Sequence, residues 1–197
     1  MTMPNNNNSR ILLKRLKKTL SELGEAQARL NKIVKIIADS MNSEVCSIYL
    51  INRHNILELY ATEGLRSKAV HYSQLNVGQG LVGKIAATAE PIKTSQASKT
   101  KGFRYLPETG EEIYNSFLGV PIQRLGKMLG VLVIQNLKNR EYTEDDIYGL
   151  EIVAMVIAEM AELGAFTSSD GSDELNHDKK KPLSINGLVG KEGIVIG

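Results

Sequence analysis

The stretch GQGLVGKIAATAEPI, residues 78–92, carries the spacing G-x-G-x-x-G at Gly78, Gly80 and Gly83, directly before a helical pattern. In a dinucleotide-binding fold such glycines let the backbone turn tightly and approach a pyrophosphate at a helix N-terminus. That fold also needs parallel strands on both sides, and an acidic residue about 20 positions on for the ribose. Here the helix, with Leu81, Val82, Ile85 and Ala86 on one face, stops at Pro91 and gives way to a polar stretch at 95–115. No Asp or Glu occurs between Gln96 and Arg104. The glycines are therefore read as a tight turn at Gly78 and Gly80, with Gly83 letting the short helix pack closely.

The segments on either side read as antiparallel hairpins. VCSIYLIN (45–52) and ILELYAT (56–62) flank the polar turn Arg53-His54-Asn55. The first of these strands is apolar at almost every position, which predicts cover on both faces. Downstream, SFLGVPIQRLGKMLGVLVIQN (116–136) reads as two long strands closed at Leu125-Gly126-Lys127. TEDD from Thr143 resembles a capping box with Asp146 in place of Glu, and opens a second long helix. Ile147, Leu150, Ala154, Ile157 and Ala161 give it a heptad-like stripe, widened by Val153, Val156 and Met160, and Gly164 suits its end.

Residues 1–8 form an Asn-rich start expected to be disordered. Ser9 is a plausible N-cap for a long packing or coiled-coil helix over 9–40. Its seam runs through Leu13, Leu16, Leu20, Leu23, Leu30, Val34 and Ile37. At 1.5 Å per residue the seam extends about 40 Å, longer than a small sheet can cover. Its N-terminal half is expected to meet a second copy, giving a parallel homodimer joined by the helix at 143–163. The core with its closing helix spans 41–166. Beyond it, 167–184 is polar and aperiodic, a linker, and 185–197 returns to strand-like character as the truncated start of a following domain.

At 197 residues the chain suits one domain with appendages, and its 24 Lys and Arg against 22 Asp and Glu do not call for nucleic acid. No apolar run is long enough to span a bilayer and no signal-peptide core opens the chain, so a soluble, cytoplasmic protein without membrane attachment is expected. The single cysteine, Cys46, lies mid-strand as a small hydrophobe. His54, His71 and His177 are far apart, so no metal-ligand spacing exists, and no cofactor is called for.

The order of long helix, hairpin, VGQGLVGKIAATAEPIKTSQA, polar loop, SFLGVPIQRLGKMLGVLVIQN and closing helix resembles a GAF domain over about residues 25–165. That resemblance implies an α+β fold: a central antiparallel sheet with long terminal helices on one face, and a short helix plus loop enclosing a small-molecule pocket on the other. The tail GLVGKEGIVIG is similar to the opening strand of the phosphotransferase-system enzyme I family, in its nitrogen-related branch. This implies a regulatory sensor of nitrogen status, with glutamine as leading ligand, in a parent that moves a phosphoryl group from phosphoenolpyruvate to a histidine and on to a carrier. None of the three histidines lies in that family's glycine-rich Ser-His segment, so the chain itself is read as non-enzymatic.

An amino-acid ligand needs donors for its carboxylate, an acidic or carbonyl partner for its ammonium, and polar groups for its side chain. The helix N-terminus at Gly80 and Leu81 offers backbone N–H groups. The loop offers Phe103, Arg104, Tyr105, Glu108 and Glu111, and the sheet Ser47, Tyr49, Ser116 and Gln135. A cyclic nucleotide is disfavoured because the family's Asn-Lys…Phe…Asp-Glu pattern is incomplete. A linear tetrapyrrole needs a loop cysteine, and methionine sulfoxide reduction needs several. A ligand-free dimerisation module remains the alternative.

Overall fold

The computed structural model describes residues 6–21, 25–104, 106–110 and 114–162. Leu23, Tyr105, Glu111, Gly164, the expected linker at 167–184 and the strand-like segment at 185–197 lie outside the described residues.

Six strands form one antiparallel sheet in the order β3-β2-β1-β6-β5-β4. They are β1 (Val45–Ile51), β2 (Ile56–Glu63), β3 (Gln74–Asn76), β4 (Ile92–Thr94), β5 (Ser116–Arg124) and β6 (Lys127–Asn136). The central pair β1 and β6 is buried almost throughout, as the unbroken apolar run of β1 predicts. The tight turn between β5 and β6 puts Leu125 (φ 49°) and Gly126 (φ 76°) in the left-handed region, the conformation that matches the strand twist of a two-residue hairpin.

Strand alternation assigns each side chain to a face. Cys46, Ile48, Leu118, Val120, Leu132 and Ile134 point to one core, shared with the long helices. Tyr49, Phe117, Val131 and Val133 point to the other, beneath the short helix and loop. The alternation in β2 is interrupted once. Ile48 pairs with Ala61 but Tyr49 pairs with Leu59, so Tyr60 is an extra residue, a β-bulge. This bulge is what places Leu57 and Leu59 in the second core with Tyr49.

The helices are α1 (Asn6–Ser21), α2 (Ala26–Met41), α3 (Gly80–Thr88) and α4 (Glu144–Glu162). The single helix expected over 9–40 is two helices. Glu25 is extended (ψ 144°) at the start of α2, which ends helical hydrogen bonding there. The sequence has Gly24 beside this break, and glycine is the weakest helix former after proline. The start also differs, because α1 begins at Asn6 and Ser9 lies within it rather than capping it. Among the described side chains of α1, Leu12, Leu16 and Thr19 are buried, and Leu12 and Leu16 join the core of α2 and α4. Leu13, assigned to the seam, is 41% exposed. The apolar strip that motivated a partner helix is thus partly covered within the chain.

At the start of α4 the expected capping box is present. Thr143 N donates to Asp146 Oδ2 at 2.9 Å and Asp146 N donates to Thr143 Oγ1 at 3.2 Å. Asp146 also accepts from Arg140 Nη2 at 2.8 Å, while Arg140 Nη1 reaches the Met41 and Asn42 carbonyls ending α2. Asn136 donates to Glu44 and Asn42 and accepts from the Tyr142 hydroxyl at 2.9 Å. These bonds fasten the end of β6 to both long helices. Burial is the main cause that pushes the Tyr142 phenol up to about 12, outweighing the lowering by Ser116 and Arg140.

Candidate ligand pocket

The segment at 78–83 folds as its glycines require. Gly78 (φ 87°) and Gly80 (φ 68°) are left-handed. Gly78 N donates to Gly83 O at 2.7 Å, tying the turn to the first turn of α3. A side chain on Gly83 would stand 2.5 Å from the Asn76 carbonyl oxygen, so only glycine lets α3 lie this close to β3. No side chain caps α3, because the Gln79 carboxamide oxygen accepts from Asn76 N instead. The first N–H groups of the helix are left to whatever faces them, and by helix geometry they form an anion-binding terminus.

What faces them is a cavity of about 20 Å³, room for roughly one water. Its floor is Tyr49 of β1, Phe117 of β5 and Gln135 of β6, its walls are Leu75 and the α3 residues Gly80, Leu81 and Val82, and the loop contributes Phe103, Arg104 and Leu106. Arg104 lies directly over Gly80, whose absent Cβ would be 3.4 Å from Arg104 Cβ. A ligand larger than water requires this lining to part, and exposed Arg104 is the side chain with room to do so.

Six sequence-predicted residues therefore meet at one place: Tyr49, Gly80, Leu81, Phe103, Arg104 and Gln135. Ser47 shares the pocket-side face but is engaged with Thr62 at 2.8 Å and does not line the cavity. Ser116 points the other way, since strand alternation places Phe117, not Ser116, on the pocket side. Its hydroxyl donates to the Lys138 carbonyl at 3.0 Å, a structural contact. Glu108 lies outside the lining, where it accepts from Ser73 Oγ at 3.1 Å. Leu75, Val82, Leu106 and Phe117 were not anticipated as pocket residues. Phe117 was recoverable from register, because it sits opposite Gln135.

The loop over the pocket is tied to the connection between β2 and β3. Arg66 donates from its backbone N to Thr109 O at 3.1 Å and from Nη1 to Pro107 O at 3.0 Å, and Tyr114 donates to Gly64 O. In the same connection His71 sits at φ 61°, its ring 2.8 Å from a Glu58 carboxylate oxygen and 3.1 Å from Gln27 Oε1 of α2. Gln27 Nε2 donates to the carbonyl of Tyr60, the bulged residue.

Among the described residues no group of three or more His, Cys, Asp or Glu side chains is arranged to hold a metal ion, and no helix is long and apolar enough to cross a membrane. Burial pushes the Cys46 thiol well up, with Glu63 adding to the shift, and Cys46 has no solvent exposure.

The family model for the GAF domain matches residues 25–160. A protein of the phosphoenolpyruvate-dependent phosphotransferase system from Escherichia coli is 33% identical over 165 residues, covering 81% of this chain and 22% of the relative, so the chain spans about a fifth of that protein's length. The GAF domain of a phosphoenolpyruvate-protein phosphotransferase from Coxiella burnetii superposes with a TM-score of 0.76 at 29% identity, covering 81% of this chain and 96% of that one. The GAF domain of an Acinetobacter phosphoenolpyruvate-protein phosphotransferase gives 0.73 at 31% identity, covering 86% and 99%.

Proposed function

The chain belongs to the GAF domain family, and on that footing we propose that it is the ligand-sensing control domain of a cytoplasmic phosphoenolpyruvate-protein phosphotransferase, taking glutamine or a related nitrogen metabolite. It is a regulatory module that resembles the N-terminal part of such a phosphotransferase. The observation that carries the ligand reading is the uncapped N-terminus of α3 opening onto a cavity beneath Arg104. Backbone donors, a helix dipole and a guanidinium converge there, which is the chemistry that binds a carboxylate.

The test is a thermal-shift comparison of glutamine, glutamate, 2-oxoglutarate, cyclic nucleotides and NAD at millimolar concentration. A ligand at a hundredfold excess over Kd stabilises the native state by about 2.7 kcal/mol. That is a melting shift of several degrees at roughly 2–4 °C per kcal/mol. A shift with glutamine supports the assignment, and a shift with another compound alone moves the ligand identity elsewhere.

The small volume of the cavity favours one second reading, a domain that binds nothing and serves only to dimerise. No shift with any compound, together with twice the chain mass in light scattering, would make that the better account.

A further inference from the structure

We infer that Gln135 is the residue that sets the specificity of the pocket, by demanding a ligand group that both donates and accepts hydrogen bonds, a primary carboxamide, against the sheet. The inference rests on the ligand reading above and adds which end of the ligand faces which wall.

Gln135 is 3% exposed, lines the cavity, and its carboxamide makes no hydrogen bond with any described residue. Its cross-strand neighbours on the pocket face are Val45 and Phe117, which offer it nothing polar. The nearby polar pair on that face, Ser47 and Thr62, satisfy each other. A carboxamide at the cavity wall that no neighbouring side chain engages is open to a group placed in the space in front of α3.

A carboxamide has two donor hydrogens and an acceptor oxygen. A ligand carboxamide meets it reciprocally, one N–H···O bond in each direction. A ligand carboxylate only accepts, so it would leave Gln135 Oε1 unpaired beside a negative oxygen. The opposite wall has the reverse character, because α3 N–H groups and Arg104 are donors only and suit a carboxylate. A short molecule with a carboxylate at one end and a carboxamide at the other fits both walls, and glutamine is of this class.

The experiment uses the full chain. Calorimetry compares glutamine, glutamate and the methyl ketone analogue of glutamine, in which CH3 replaces the NH2 group and so keeps the shape of the amide without its N–H donors. On the wild type, glutamine is expected to bind ten- to a hundredfold more tightly than the ketone or glutamate. Gln135→Met should lose that advantage, binding glutamine ten- to a hundredfold more weakly while glutamate changes less than threefold. Without ligand, the variant should melt close to wild type, because no hydrogen bond to a described residue is lost and methionine has a similar shape. Equal binding of glutamine and the ketone by wild type overturns the inference without any variant. So does undiminished glutamine binding by Gln135→Met, or a loss of several degrees in its unliganded melting point, and each of these leaves the ligand reading standing. A wild-type chain that binds none of the three compounds overturns both.

Discussion

Arg15 Nη2 lies 3.7 Å from Asp39 Oδ2. In one unbroken helix these residues would be about 36 Å apart at 1.5 Å per residue, so their contact shows that α1 folds back on α2. The pair is half exposed and contributes little energy. What it marks is that the chain covers Leu12 and Leu16 with its own core. A homodimer through the terminal helices, which we continue to propose, must use what remains outside: Tyr148 (67% exposed) and Met155 (66%) on α4, with Ile11 and Leu13 on α1. Light scattering at micromolar concentration is expected to give twice the 21.7 kDa chain mass. Tyr148→Glu with Met155→Glu should halve it while leaving the fold intact. Leu16→Ala should cost about 2–5 kcal/mol of stability instead. A monomeric wild type would end the dimer proposal.

Tyr142 is a test of the network that fastens β6 to the long helices. Its phenol is pushed up to about 12 by burial, from an ordinary value of 10. Between these values the unfolded chain has lost the proton and the folded chain holds it. Stability from this group is therefore fully present below pH 10 and declines as pH rises toward 12, by on the order of 2–3 kcal/mol. Tyr142→Phe should lose about 1–2 kcal/mol at pH 7 through the orphaned Asn136 oxygen. In alkaline denaturation it should also decline less steeply than wild type between pH 10 and 12. Equal slopes would contradict the burial account.

Two glycine-to-alanine changes should move stability in opposite directions. Alanine at Gly83 meets the Asn76 carbonyl oxygen at 2.5 Å and the Gly78 backbone at 3.1 Å, neither of which yields easily. A loss of about 2–4 kcal/mol is expected, with displacement of the α3 N-terminus. Gly149, inside α4, has nothing within 4 Å of the added carbon. There alanine should gain roughly 0.5–1 kcal/mol from helix propensity. Urea titration of the two variants checks both signs.

At His71 the usual order of Gly and Ala should invert. The residue is left-handed at φ 61°, and its ring bonds Glu58 and Gln27. Both His71→Gly and His71→Ala remove the ring, but alanine retains the left-handed strain that glycine relieves. His71→Ala should be less stable than His71→Gly by about 1 kcal/mol. If the alanine variant melts higher, backbone strain is not what the position imposes.

The strands were legible because their signals are local. An unbroken apolar run such as VCSIYLI, and alternation ending at tight turns, fix both the hairpins and their faces. The capping residues Thr143 and Asp146 announced α4 for the same reason. The break between α1 and α2 was missed because a heptad count continues through position 25, where the backbone is extended. Of the candidates on regular elements, Tyr49, Gly80, Leu81 and Gln135 line the cavity. Ser116 was misassigned by one position along β5, the smallest possible slip, and alternation converts that slip into the opposite face. Glu108 was chosen for its charge, but loop carboxylates take whatever donor the fold brings near, and here that is Ser73.

The bulge at Tyr60 has a consequence for how β2 tolerates change over time. Ala61 faces the helices opposite Ile48 and Leu59 faces the pocket opposite Tyr49, so a deletion of Tyr60 itself would leave both residues on the faces they now occupy and remove only the extra one. Deleting Glu58 instead would place Leu57 next to Leu59 and carry it from the pocket floor to the helix side. The tolerance of β2 to a change in length is thus sharply unequal. A single-codon loss is absorbed at position 60, while the same loss two codons away exchanges the faces of everything before it.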